Sequence, residues 1–304
     1  MNILVSTCSQ GLIYAVLAMG LYITFRILNF ADMTAEGSLT LGGSICAVLI
    51  TNGANPVLSV LTAGLIGSLA GLITGFLHTK LKIQAILSGI LTMIALYSVN
   101  IKIMGKANLS LLGKETVFKI FENVPFFKEN LQFSIFLIGI ITCSALLLIL
   151  NLFFKTRLGI AIRATGDNEQ MMRAQGANTD FLKILALMIS NSLCAVAGAL
   201  IAQSQGYADV NMGTGTIVIA LASIVIGEAL IKENLFLLKL VAVILGSVCY
   251  RFIIFFVLNL GMNPSDLNLF TAVMASILLS LPGIRKTIVR SVTNVGNQKF
   301  VQNI

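Results

Sequence analysis

Apolar runs of about 20 residues, the length that crosses a hydrocarbon core, recur along the chain with short polar breaks between them. They predict spanning helices near residues 12–30, 35–52, 56–78, 83–101, 132–154, 181–202, 214–230, 235–258 and 268–283. Nine spans, within a range of eight to ten, make the chain an all-α, polytopic transmembrane bundle, a single domain over 1–304. The N-terminus MNILVSTCSQG has no basic stretch and no small-residue cleavage pattern, so the first run reads as a retained span.

Three polar segments interrupt this pattern. Residues 102–131 carry five lysines partly offset by Glu115, Glu122 and Glu129, and read as an external loop capped by the apolar stretch FKIFENVPFF. Residues 155–178, KTRLGIAIRATGDNEQMMRAQGAN, form a long basic insertion. The junction RILNFADMTAEGSLTLGG, Arg26 to Gly43, puts Asp32, Glu36 and several glycines between two apolar runs. It is either a short turn with solvated carboxylates or a broken or re-entrant helix near 30–43 whose amides and carboxylates line a cavity. Both readings stay open at the level of sequence.

Small residues recur at helical spacing as Gly67, Gly71 and Gly75, and as Ser190, Cys194, Gly198 and Ala202. Such stripes let helix backbones approach closely in lipid, and bundle packing explains them better than a pore lining. Phe30-Ala31-Asp32 and Tyr207-Ala208-Asp209 echo one another after two apolar spans, as repeated halves with discontinuous helices do in transporters.

The composition confirms the membrane class: 57% hydrophobic, 11% charged and a mean hydropathy of +0.95. The net charge of +8 therefore marks orientation rather than nucleic-acid binding. With the basic insertion in the cytoplasm, 14 of the 20 Lys and Arg lie inside, and loops 203–213 and 259–267 hold none. This places the C-terminus in the cytoplasm. The five cysteines are scattered without a CxxC pair and suit an apolar core.

Chemistry of the catalytic kind finds no foothold. The single histidine, His78, sits at the end of a span beside Lys80 and cannot supply a metal cluster, a proton relay or a Ser/His/Asp set. No phosphate loop of the form GxxxxGK[ST] occurs, so ATP hydrolysis belongs to another chain. Neither metal nor cofactor is expected. Candidates for a solute path are Asn29, Asp32, Glu36, Asp209, Glu228 and Arg251. Glu228 lies at a span end beside Lys232 and Glu233, where solvation is cheap; Arg251, deeper in GSVCYRFIIFF, needs a carboxylate, carbonyl or water partner. In the insertion, Asp167 as N-cap, Gln170 as its capping-box partner and Gly176 as C-terminal stop predict a short surface helix over 168–175, with Arg163 and Arg173 nearby. A basic loop resting on anionic headgroups is the competing reading.

The chain resembles the permease subunits of bacterial ABC importers related to the branched-chain amino-acid permeases. The resemblance rests on Gly11-Leu12-Ile13-Tyr14-Ala15, Ile27 to Asp32 with Glu36-Gly37-Ser38 and Leu41-Gly42, then Thr156-Arg157-Leu158-Gly159, Arg163-Ala164, Asn168, Ala174, Gly176-Ala177-Asn178 and the span Ile224 to Glu228. It implies that Arg157, Gly159, Arg163, Asp167, Asn168, Arg173, Ala174 and Gly176 belong to a coupling element seated in a groove of an ATPase subunit. It also implies a homodimer with two such ATPase subunits in the bacterial cell membrane, and no partner nucleic acid. The stretches GDNEQMMRAQGAN and Gly206 to Asp209 are similar to a branch served by a lipid-anchored, extracytoplasmic binding protein, with aromatic amino acids among its assigned substrates. The alternative class, an ion-coupled secondary transporter, would need carboxylates deep in the membrane as coupling sites.

Overall fold

The computed structural model describes residues 2–119, 131–231, 235–261, 266 and 269–277. The chain runs through α1 (Asn2–Tyr22), a π-helical turn (Ile23–Ile27), α2 (Thr34–Thr51), α3 (Pro56–Thr79), α4 (Ala85–Met104), β1 (Asn108–Ser110) and α5 (Leu131–Lys155). It continues as α6 (Arg157–Asp167), α7 (Glu169–Ala174), α8 (Thr179–Gln205), β2 (Tyr207–Asp209), α9 (Thr216–Leu230) and α10 (Phe236–Asn259). Residues 269–277 are helical as well.

Among the described residues, seven helices are long and apolar enough to cross a membrane, and α9 is a shorter apolar helix. With the 269–277 segment these match the predicted spans, except that α1 begins at residue 2 rather than 12. Residues 120–130, which hold most of the predicted external cap, and Lys232 and Glu233 lie outside the described residues, as does the end of the last predicted span.

The bundle is sorted by size of side chain rather than by polarity. α3 buries Ser59, Ala63, Gly67, Ala70, Gly71, Thr74 and Gly75, and turns Leu58, Leu61, Leu65, Leu69, Ile73 and Phe76 outward. In water this arrangement would be inside out; in lipid, where apolar side chains gain nothing by leaving the surface, close packing of small faces holds helices together. The buried face of α3 lies on α8. A side-chain carbon at Gly67 would come within 2.8 Å of the Asn191 carbonyl oxygen, and at Gly71 it would overlap that of Leu187. Gly198 meets Leu39 of α2 in the same way, and Ser190 donates to the Gly20 carbonyl of α1 at 2.7 Å. Both small-residue stripes therefore mediate helix packing around α8.

The two ends of the bundle differ. At one, β1 and β2 pair antiparallel with Asn108 opposite Asp209 and Ser110 opposite Tyr207. Tyr207-Ala208-Asp209 is thus a strand while Phe30-Ala31-Asp32 is not, so the echo in sequence is not an echo in backbone. At the other end, α6 and α7 stand between α5 and α8. α9, 15 residues long and about 22 Å, falls short of the ~30 Å hydrocarbon core. Its C-terminal Glu228 pairs with Arg26 at the α6–α7 end, so its N-terminus stops inside the bundle, with Gly213 packed on the Glu36 carbonyl and the Thr40 hydroxyl of α2.

Candidate functional site

Between the π-helical turn and α2 the helix is broken, and the break is buried. The turn ends with Leu28 N–H on the Ile23 carbonyl (2.9 Å) and Phe30 N–H on that of Thr24 (2.9 Å). Asn29 then takes φ +52°, a left-handed conformation Asn tolerates better than most residues. Asp32 follows with 0% exposure. Its Oδ1 accepts from the Thr34 N–H (2.9 Å) and its Oδ2 from Asn191 Nδ2 (2.7 Å). Asn191 Oδ1 in turn accepts from the Ser38 hydroxyl (2.6 Å), and Thr34 shares a hydrogen bond with Thr74 of α3 (2.7 Å). Of the two readings of this junction, the solvated turn is excluded for Asp32: its carboxylate is held in protein.

The insertion is more helical than its sequence suggested. Thr156, whose hydroxyl accepts from Gly159 N–H, caps α6, and α6 continues through Asp167. The cap of α7 is Asn168, with φ −154° and its Oδ1 accepting from Met171 N–H (2.9 Å). Asp167 is therefore the last residue of α6 and not the cap, a shift of one position. Both residues are good caps, but Asn168 N–H still reaches back to the Ala164 carbonyl (2.9 Å), so the helix runs one residue further before it breaks. Gly176, at φ +82°, ends α7 as expected.

α6 bears directly on the buried break. A side-chain carbon at Gly166 would overlap the Ile27 carbonyl oxygen, and Asn29 Nδ2 donates to the Gly166 carbonyl (3.0 Å). At its other end Gly159 fits against the backbone of Phe153 and Phe154, where α5 stops. Arg163 is exposed and stacks over Phe236 of α10 at 5.5 Å; Arg157 is exposed. α7 buries only Met172 and presents Gln170, Met171, Ala174 and Gln175 outward.

A charge network fixes α7 to the start of α8. Arg173 reaches Glu169 (2.8 Å) and Asp180 (2.9 Å), Lys183 reaches Glu169 (2.7 Å), and Lys82 approaches Asp180 at 3.9 Å. Burial by itself raises the Glu169 carboxyl, but the hydrogen bond and charge of Lys183, the charge of Arg173 and the Thr179 hydroxyl hold it below the usual carboxylate range.

The remaining sequence-predicted residues separate into distinct places. Glu36 Oε1 accepts from Gly215 N–H (2.9 Å) at the buried start of α9, where a carboxylate suits the unsatisfied amides and the dipole. Glu228 is tied to Arg26. Asp209 lies at the β1–β2 end, bonded to Asn211 N–H (2.8 Å) and Asn108 (3.3 Å). The Arg251 guanidinium sits 3.7 Å from the Tyr14 ring centre, a cation–π contact, beside a cavity of about 120 Å³ shared with Ser6, Gln10 and Gln205. Asn29, Asp32, Glu36 and Glu228 are thus linked through α2 and α9, whereas Asp209 and Arg251 stand apart from them. Among the described residues no cluster of His, Cys, Asp or Glu could hold a metal.

Sequence reasoning missed Asn191, Ser38 and Asn100 in the interior and Glu169, Asp180 and Lys183 on the surface. The signal for the first group was there: Asn100 and Asn191 are amides inside otherwise apolar runs. The surface group carried no signal, because charged residues beside a basic loop are ordinary.

Long apolar helices, a polar break buried among them and two short helices seated at one end of the bundle fit a multi-pass membrane transport subunit of the permease type. The chain belongs to the family described as the permease component of the branched-chain amino acid transport system, which matches residues 3–281. It is 42% identical to the tyrosine transport system permease protein of Clostridioides difficile (strain R20291), over 99% of this chain and all of that protein. It is 32% identical to an uncharacterized protein of Rickettsia prowazekii (strain Madrid E), over 92% of this chain and 98% of the relative. The autoinducer 2 import system permease protein LsrC of Yersinia pestis (strain Pestoides F) is 31% identical over 72% of this chain and 60% of its own length. No solved structure matches the chain.

Proposed function

We propose that this chain forms the translocation pathway of an ABC importer for an amino acid, delivered by an extracytoplasmic binding lipoprotein. α6 and α7 dock on the ATP-hydrolysing subunit, and two copies of the chain pair with two ATPases. The α6–α7 end and the C-terminus face the cytoplasm of a bacterial cell, a reading supported by the distribution of Lys and Arg. The chain itself makes and breaks no covalent bond. ATP binding on the partner favours one packing of the bundle over another.

The observation that carries this reading is the seating of α6 on the break at residues 27–29. A force applied to the exposed face of α7 passes through α6, by Gly166 against Ile27 and Asn29, to the segment holding Asp32 and the start of α2. The name of the relative from Clostridioides difficile supports tyrosine as the first solute to try.

The test is reconstitution of the chain in liposomes with its cognate ATPase and binding lipoprotein, followed by uptake of labelled L-tyrosine. ATP-dependent, binding-protein-dependent uptake is expected. Uptake by the chain alone, driven by an ion gradient, would overturn the importer reading in favour of a secondary transporter.

A further inference from the structure

A cavity of about 320 Å³, within the size range of small-molecule sites, opens between α4 and the loop that leads into α9. α2 is its floor. Gly37 lets α4 approach, with Met93 and Leu96 against it, and Gly213 brings the loop down onto Glu36 and Thr40. Its apolar wall is Met93, Ile94 and Tyr97, with Val210 from the loop.

Two polar side chains line this space. Glu36 lines it, its carboxylate engaged by the backbone amides of Gly215, on Oε1, and of Ile217 at the start of α9. Asn100 lines it too, is 1% exposed, and spends its amide nitrogen on the Gly37 carbonyl at a long 3.4 Å. Its Oδ1 has no hydrogen-bond partner among the described residues. An orphaned buried acceptor of this kind carries a free-energy cost that a bound donor would remove. A carboxylate and an amide oxygen together ask for a donor-rich cation, and the aromatic and aliphatic wall asks that the cation carry an apolar group.

We propose that this cavity is a selectivity site that binds the primary ammonium of an amino acid with an apolar or aromatic side chain, through Glu36 and Asn100, with Tyr97 against the side chain. The site rests on the importer reading for its place in transport, but its binding chemistry stands on the cavity alone. Asn211 and Thr214 on the loop are the groups available to the carboxylate end. Because Glu36 also holds the first amides of α9, a ligand that draws on its carboxylate reports directly to a helix whose other end is tied to Arg26.

The full-length chain in nanodiscs is titrated with labelled L-tyrosine, competed by tyramine, which lacks the carboxylate, and by 3-(4-hydroxyphenyl)propionate, which lacks the ammonium. Tyrosine and tyramine are expected to bind and the propionate to fail. Asn100→Leu, which leaves the α9 cap intact, and Glu36→Gln should each weaken tyrosine about tenfold or more, the worth of one charge-assisted hydrogen bond. Absence of amine binding to the unmodified chain, equal competition by the propionate, or unchanged affinity in Asn100→Leu would each overturn the proposal. Co-purification of the unmodified chain with the ATPase is scored separately: its failure would sink the importer reading whatever the cavity binds.

Discussion

Asn191 is the pivot of the buried network, and replacing it tests the architecture most directly. Asn191→Leu keeps a similar volume but removes the donor to Asp32 Oδ2 and the acceptor for the Ser38 hydroxyl, both at 0% exposure. A hydrogen bond to a carboxylate contributes about 1.5–3 kcal/mol, and an orphaned neutral group costs about 1–3 kcal/mol. Asp32 keeps the Thr34 amide, which favours the lower end of each range. Polar pairs between helices in lipid average only about 0.6 kcal/mol, because the unfolded chain in a micelle also finds partners. The expected loss is therefore about 2 kcal/mol. Reversible unfolding of the chain in mixed micelles, followed by helical signal against denaturant mole fraction, measures it. In an Asp32→Ala background the same substitution should cost about 1 kcal/mol less, since the residues share one interaction. A cost below ~0.5 kcal/mol for Asn191→Leu, or an identical cost in both backgrounds, would refute the idea that the network holds the break closed.

Three further outcomes follow from the α6–α7 end. Met171→Glu, on the exposed face of α7, should leave the unfolding transition in place and reduce co-purification with the ATPase about tenfold, as an unpaired charge at an interface core does. Gly166→Val should still assemble but lose ATP-dependent uptake, because a side chain there displaces α6 from the Ile27 carbonyl; uptake unchanged from the parent would count against transmission through α6. Glu169 has a depressed carboxyl, so its stabilisation of the α7–α8 junction is full above the unfolded value of about 4.3 and is lost as pH falls through the lower, folded value. Cleavage between residues 168 and 178 by an acid-tolerant protease should rise as pH drops below about 4 in the parent chain, and be high and flat with pH in Glu169→Gln.

How far the sequence revealed this structure depended on which physical term decided each part. Span positions were legible because apolar length is a strong signal, and α3 could be read as helix-packing from its glycines alone. α6 was not legible: Gly159 and Gly166 lower its helix propensity, and it is helical because those same glycines let it press on the backbones of Phe153 and Ile27. The one-residue error at Asp167 and Asn168 has a related origin, since two adjacent caps tie on local chemistry and the extent of the preceding helix breaks the tie. For Arg251 the sequence asks for a carboxylate, carbonyl or water, and the face of Tyr14, 237 residues away in sequence, adds a cation–π contact that no local pattern announces. Asp32 lay open between two readings until its partner on α8 was seen.

The arrangement of α9 explains why those interior carboxylates are worth their cost. A helix too short to span the core must end somewhere inside it, and its first amides must then be satisfied within protein. Glu36 does this at one end, and Arg26 takes Glu228 at the other. Arg26 belongs to the π-helical turn on which α6 sits, and Glu36 to the first turn of α2 just beyond the break. Both anchors of α9 therefore lie on the two sides of one buried discontinuity. Movement of α6 that shifts residues 26–29 relative to α2 must tilt or rotate α9 or release one of its two anchors, because the helix's own length is fixed by its hydrogen bonds. Under the proposed coupling role, α6 and α7 would thereby bear on the wall of the 320 Å³ cavity, which the loop before α9 helps to build, without any rearrangement in the tightly packed contact of α3 with α8.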